Sequence, residues 1–176
     1  MREKSPAERV WEEAKGLMYR EAYSVLRNRE DSEDALMEAM ARIIRSEEKF
    51  RSLGCNDMRA LAVIYVRNTA IDIYNRNRKI PYPTDELPER VDLSPTPEEA
   101  VVASESAERM MKLIERMPPS YRDVLLMRCR YEMDTGEIAE VLGLENGTVR
   151  TRLSRARAIL KETMEKIEKM EGDRNA

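Results

Sequence analysis

Residues 147–161 carry five bases, Arg150, Arg152, Arg155, Arg157 and Lys161, and no acid. Among them stand Gly147, Thr148, Thr151 and Ser154, small or hydroxyl-bearing side chains that leave room for close approach. Guanidinium groups fork onto guanine edges or phosphate oxygens, and hydroxyls reach either, so the chemistry on offer is docking on duplex DNA. Bond-breaking chemistry is poorly served. The chain has no histidine, which removes the commonest general base, the commonest metal ligand and the usual partner of a Ser or Cys nucleophile. Cys55 and Cys129 are far apart and lack the paired spacing of a metal knuckle or redox motif, so both are expected as reduced thiols. No enzyme activity, cofactor, metal or small-molecule substrate is therefore expected.

Such a basic face needs a helix that turns its other side inward. Val149, Leu153, Ala156 and Leu160 form one apolar stripe at helical spacing. The residues before it predict a partner helix over 135–142, with Asp134 and Glu137 at capping-box spacing. Ala139 is small where two helices would cross, and Gly143 suits a left-handed C-cap. Residues 134–160 thus predict a helix-turn-helix whose second helix enters the major groove. A solvated cationic helix face is the plain alternative, but turn, small residues and acid-free run coincide here with the recognition-helix pattern.

The rest of the chain supplies the frame. At 176 residues, 37% charged and 41% hydrophobic, it has the composition of a surface-rich, helical protein. No stretch approaches a membrane span, and the opening residues carry charges of both signs with no apolar run, so a cytoplasmic protein without membrane insertion is expected. The net charge of −3 hides segregation: residues 82–108 hold eight acids against the single base Arg90. Pro81, Pro83, Pro88, Pro95 and Pro97 exclude a helix across 81–97. The expected fold is all-α: two small helical domains, 1–80 and 99–176, joined by a flexible, Pro-rich acidic linker over 81–98, the C-terminal domain a helix-turn-helix. In the first domain, helices are predicted over 7–26, 32–46 and 57–78. Asp31 or Ser32 would cap the second, and Leu36, Met40, Ile43 and Ile44 would be its inner face. In the second domain they are predicted over 100–117, 120–131 (with Ser120 as cap), 135–142 and 146–169.

The segment Gly147-Thr148-Val149-Arg150-Thr151-Arg152-Leu153-Ser154-Arg155-Ala156-Arg157 resembles region 4 of bacterial sigma-70 family factors of the extracytoplasmic-function (ECF) type. Met117-Pro118-Pro119-Ser120-Tyr121-Arg122-Asp123-Val124-Leu125 is similar to the helix that precedes it. Asp31-Ser32-Glu33-Asp34-Ala35-Leu36-Met37-Glu38 resembles the polymerase-binding helix of region 2, and Arg67-Asn68-Thr69-Ala70-Ile71-Asp72 its promoter-opening helix.

The resemblance implies a sigma factor that binds core RNA polymerase and promoter DNA, recognises the minus-35 and minus-10 elements and opens the strands, with an anti-sigma factor as regulator. It assigns the polymerase grip to Asp34, Glu38, Arg42 and Arg45. The unpaired minus-10 base falls to Phe50, the loop through Asn56, and Asn68; Tyr74, Arg76, Arg78 and Lys79 suit the single-strand backbone. Duplex reading falls to Gly147, Thr148, Arg150, Thr151, Arg152, Ser154 and Arg155, with Arg128 on a phosphate. By the same resemblance the acidic linker threads the RNA exit path. A stand-alone helix-turn-helix regulator is the alternative, motivated by Met37 and Met40, which stand where the family often has Gln and an aromatic.

Overall fold

The computed structural model describes residues 3–79 and 106–175. The linker over 81–98 and the start of the helix expected from residue 100 lie outside them. Eight helices and no strand are present among the described residues. The chain divides into two compact units, Met1–Thr84 with Ala139–Leu144, and Asp85–Ile138 with Glu145–Ala176.

In the first unit, α1 (Pro6–Leu26) starts at a complete capping box. The Glu8 amide donates to Ser5 Oγ at 3.2 Å, the Ser5 amide donates to Glu8 Oε2 at 2.7 Å, and Pro6 occupies a position whose N–H would be unsatisfied anyway. It ends where Arg27 turns left-handed at φ 53°. Helix α2 (Arg29–Arg45) begins earlier than the sequence predicts, capped by Asn28 rather than Asp31 or Ser32. The Asp31 amide donates to Asn28 Oδ1 at 3.3 Å, while Ser32, a turn in, is buried and gives its hydroxyl to the Asn28 carbonyl. A short α3 (Glu48–Arg51) leads to α4 (Cys55–Asn77).

Helix α4 packs on both α1 and α2, which also pack on each other. That position explains why 61–66 is apolar all round: Leu61, Ala62, Ile64, Tyr65 and Val66 are all buried. Alanines at 14 and 22 of α1, 35 and 39 of α2, and 62 and 70 of α4 are buried at the contacts and let the backbones approach. Ile44, expected inside, stands outside at 57% exposure; the inward stripe of α2 runs Ala35, Leu36, Ala39, Met40, Ile43, leaving Ile44 past its edge.

In the second unit, α5 (Ser106–Arg116) is followed by α6 (Pro119–Cys129). Ser120 does not cap α6: Pro119 already begins the helix, so Ser120 lies within its first turn and its buried hydroxyl has no partner among the described residues. Next along the chain, helix α7 (Thr135–Leu142) does start at the Asp134/Glu137 box, with both amide-to-carboxylate bonds at 2.8 Å. Gly143 is left-handed at φ 62°, and the Leu144 amide returns to the Ala139 carbonyl at 2.9 Å, closing the helix end. Helix α8 runs Asn146–Asn175, beyond the expected 169. Its Val149, Leu153 and Ala156 are buried, and it packs against α6 and α5. Among the described residues no helix is long and apolar enough to cross a membrane.

Candidate nucleic-acid interface

The inward stripe of α8 fixes what its outer half presents. Gly147, Arg150, Thr151, Ser154 and Arg155 are exposed, and Thr148 is half-exposed. Arg150 Nε donates to Asn146 Oδ1 at 3.1 Å, which steadies the guanidinium at the start of the helix. The Thr151 hydroxyl donates to the Gly147 carbonyl at 3.0 Å. Its proton is thus used within the helix, and what faces outward is the methyl group and oxygen lone pairs, a surface suited to a thymine methyl or a base donor. Arg155 and Arg157 meet no carboxylate among the described residues.

A groove of about 310 Å³ runs beside this face, lined by Arg128, Thr135, Arg150, Leu153, Ser154 and Arg157. Arg128 Nη1 donates to the Met133 carbonyl at 3.0 Å, so the end of α6 and the loop after it hold this cation in place. The groove therefore gathers three guanidinium groups from α6 and α8, an arrangement that attracts phosphate oxygens. Thr135 belongs to it although the sequence assigns it no site role, and Arg157, read from the sequence only as one of the bases of the run, joins it as well. Arg152 does not join the open face. It is half-buried, and its Nε is buried without a partner among the described residues.

In the first unit the structure separates the residues expected to hold a single strand. Phe50 is fully buried, its ring edge-on to Tyr65 at 5.6 Å between centroids. It is a core residue here and cannot be the wall of an open base pocket, a correction to the expectation, because α3 folds its apolar side onto α4. Asn68 is half-buried, its amide donating to the Ile64 carbonyl at 2.8 Å, which leaves its side-chain oxygen as acceptor. Asn56 is exposed, not in a loop but in the first turn of α4. At the other end of α4, the Arg78 guanidinium lies 4.3 Å over the Tyr74 ring, and Arg76, Arg78 and Lys79 are exposed. The charge and stacking surface for a single strand thus sits at the helix end.

The four residues assigned to polymerase divide two and two. Glu38 and Arg42 belong to an ion-pair chain between α2 and α4: Arg42 meets Glu38 at 3.1 Å and Asp72 at 3.0 Å, and Arg76 meets Glu38 at 3.0 Å. Asp34 and Arg45 are exposed at the flanks. The same outer face shows Met37, 60% exposed, and Ile44. Their spacing of seven, two helical turns, is the available signal for an apolar contact surface, and the expectation of Ile44 as core hides it. Beside Met37 opens a groove of about 650 Å³, lined also by Trp11, Lys15, Tyr19, Arg29 and Glu33.

Among the described residues no group of three or more Cys, Asp or Glu is placed to hold a metal ion, and both cysteines are free and exposed.

Comparison with known proteins finds two family descriptions along the chain. The family description "Sigma-70 region 2" matches residues 10–80 and "Sigma-70, region 4" matches residues 107–160. The ECF RNA polymerase sigma factor ShbA of Streptomyces griseus is 37% identical over 81 residues, 44% of this chain and 42% of the relative. ECF RNA polymerase sigma factor SigD of Mycobacterium tuberculosis is 28% identical over 131 residues, 74% of this chain and 62% of the relative. RNA polymerase sigma factor SigV of Bacillus subtilis is 27% identical over 143 residues, 81% of each. The chain thus spans less than two thirds of the length of the first two. The two region matches together take in well over half of the sequence, in the order in which the two helical units follow, and the chain belongs to the sigma-70 family, among relatives of the ECF type.

Proposed function

We propose that this chain is a promoter-specificity factor: it binds core RNA polymerase and directs it to promoters by reading a minus-35 element as duplex and opening a minus-10 element. The observation that carries this reading is the pairing of a region 2 match with a region 4 match, the second ending within an α8 that exposes Arg150, Thr151, Ser154 and Arg155. A stand-alone regulator would need only the second. The domains are residues 1–80 and 99–176, with 81–98 as the tether between two grips on one promoter.

Region 4 reads the duplex through the outer half of α8, with Arg128 on a phosphate. Region 2 engages polymerase through the open face of α2, where Asp34, Arg45, Met37 and Ile44 are available. It holds the single strand along the exposed end of α4 and at Asn68. The protein acts by binding and not as an enzyme, works in the cytoplasm, and is held silent by an anti-sigma partner that covers polymerase-facing surface.

The test is run-off transcription with core polymerase and a randomised promoter library. Enrichment of templates sharing two short elements is expected. Transcription no greater than with core polymerase alone, together with failure to co-migrate with core polymerase, overturns the reading.

A further inference from the structure

Helix α8 opens with a cation that no acid among the described residues offsets. Its first turn holds no acidic residue, and exposed Arg150, one turn in, meets no carboxylate there. The positive end of the helix dipole disfavours a cation at this place, and Arg128 and Arg157 line the same groove. A long exposed side chain so placed keeps its rotamer freedom unless something holds it. What holds it is neutral: Arg150 Nε donates to Asn146 Oδ1 at 3.1 Å, one helical turn back. Asn146 is half-buried, and a Cβ built at Gly136 would stand 3.8 Å from its Nδ2. The amide thus sits against the first turn of α7 and gives its oxygen to Arg150.

The residue type matters. A carboxylate at this position would hold the guanidinium but offset its charge and repel phosphates, whereas an amide oxygen holds it and leaves the charge to DNA. The bond also occupies the Nε edge, so the two Nη groups remain as the fork turned outward. Two acceptors side by side fit that fork, either O6 and N7 of a guanine or two oxygens of a phosphate.

We infer that Asn146 is a positioning residue, which holds Arg150 end-on to a paired acceptor of the duplex, and that it does not itself contact DNA. The inference rests on the reading of α8 as the duplex-reading helix.

The experiment uses the full chain and a pool of short duplexes of randomised sequence, with the bound fraction sequenced so that affinity and base preference are read together. Wild type, Asn146→Ala, Arg150→Ala, their double variant and Arg155→Ala are compared. Asn146→Ala is expected to weaken binding by about three- to tenfold, the cost of ordering one long side chain on binding, and to cost nothing further once Arg150 is gone. A guanine preference lost at the same position in Asn146→Ala and Arg150→Ala assigns the fork to a base edge; a loss common to all sequences in both assigns it to a phosphate. In the protein without DNA, the Nε–H resonance of Arg150, identified by its disappearance in Arg150→Ala, is expected to shift and to exchange faster with water in Asn146→Ala. An Asn146→Ala loss that persists in full in the Arg150→Ala background, or an Nε–H resonance that Asn146→Ala leaves unmoved, overturns the inference. If Arg150→Ala binds as wild type does while Arg155→Ala binds more weakly, the inference fails and the reading of α8 stands. If neither weakens binding, the reading of α8 fails and takes the inference with it.

Discussion

Arg76 Nη2 donates to Glu38 Oε2 at 3.0 Å, joining a side chain assigned to the promoter strand with one assigned to polymerase. The pair is exposed, and Glu38 is shared with Arg42, which also meets Asp72 at 3.0 Å. Exposed pairs contribute about 0.2–1 kcal/mol, so either partner can be given up to a ligand at little cost. Glu38→Gln is expected to change unfolding free energy by less than about 1 kcal/mol, while weakening co-migration with core polymerase. Urea denaturation and gel filtration with core polymerase separate the two effects; a large stability loss with unchanged polymerase binding would make Glu38 a structural residue only.

Phe50 behaves as core. Phe50→Ala is expected to cost about 3–5 kcal/mol, as cavity-forming aromatic truncations do, and Phe50→Leu clearly less. Denaturant midpoints measure this. A fully stable Phe50→Ala variant would show that the ring is free to leave Tyr65.

The turn before α8 rests on two local devices. Asp134→Ala should cost about 1 kcal/mol by removing the acceptor for the Glu137 amide, and amide exchange at Glu137 should quicken. Gly143→Ala should cost about 1–2 kcal/mol because a Cβ is strained in the left-handed conformation at φ 62°. Both losses should also appear as weaker duplex binding, since α8 follows directly.

On the outer half of α8, Arg155→Ala and Thr151→Ala should fail differently. The first removes a charge and should weaken binding to all duplexes alike. The second should relax base preference, costing about 1–3 kcal/mol of discrimination at one position. Competition binding against a panel of single-base variants checks this, and equal, sequence-blind losses would refute the division.

Glu13 gives the first unit an acid sensitivity. Hydrogen bonds from Arg59, at 2.6 Å, and from the Cys55 thiol, at 3.3 Å, hold its carboxyl below the ordinary carboxylate range. A carboxylate whose folded pKa is depressed stabilises fully above its unfolded pKa and loses that contribution as pH falls through the folded value. Wild type is therefore expected to be more stable than Glu13→Gln at neutral pH, with the two melting temperatures converging as pH falls through the depressed folded value. A difference that persists in acid would mean that the charge of Glu13 is not the cause.

Features that depend on neighbours along the chain were legible before any fold was known. The Asp134/Glu137 box, the left-handed Gly143, the extent of α7 and the Val149, Leu153, Ala156 stripe are of this kind, because capping and helical periodicity act within one or two turns. The family resemblance was legible for the same reason, since its motifs are local. Packing between helices settled which side of each one is covered. Asn28 takes the cap of α2 while Ser32 is buried beneath it; Ile44 falls outside a stripe that stops at Ile43; Phe50 closes onto Tyr65. Arg152 is the sharpest case. Its type and place in a basic run assign it to DNA, but the burial of a side chain is set by what packs on its helix, and in α8, packed on α6 and α5, the Arg152 Nε is withdrawn from solvent.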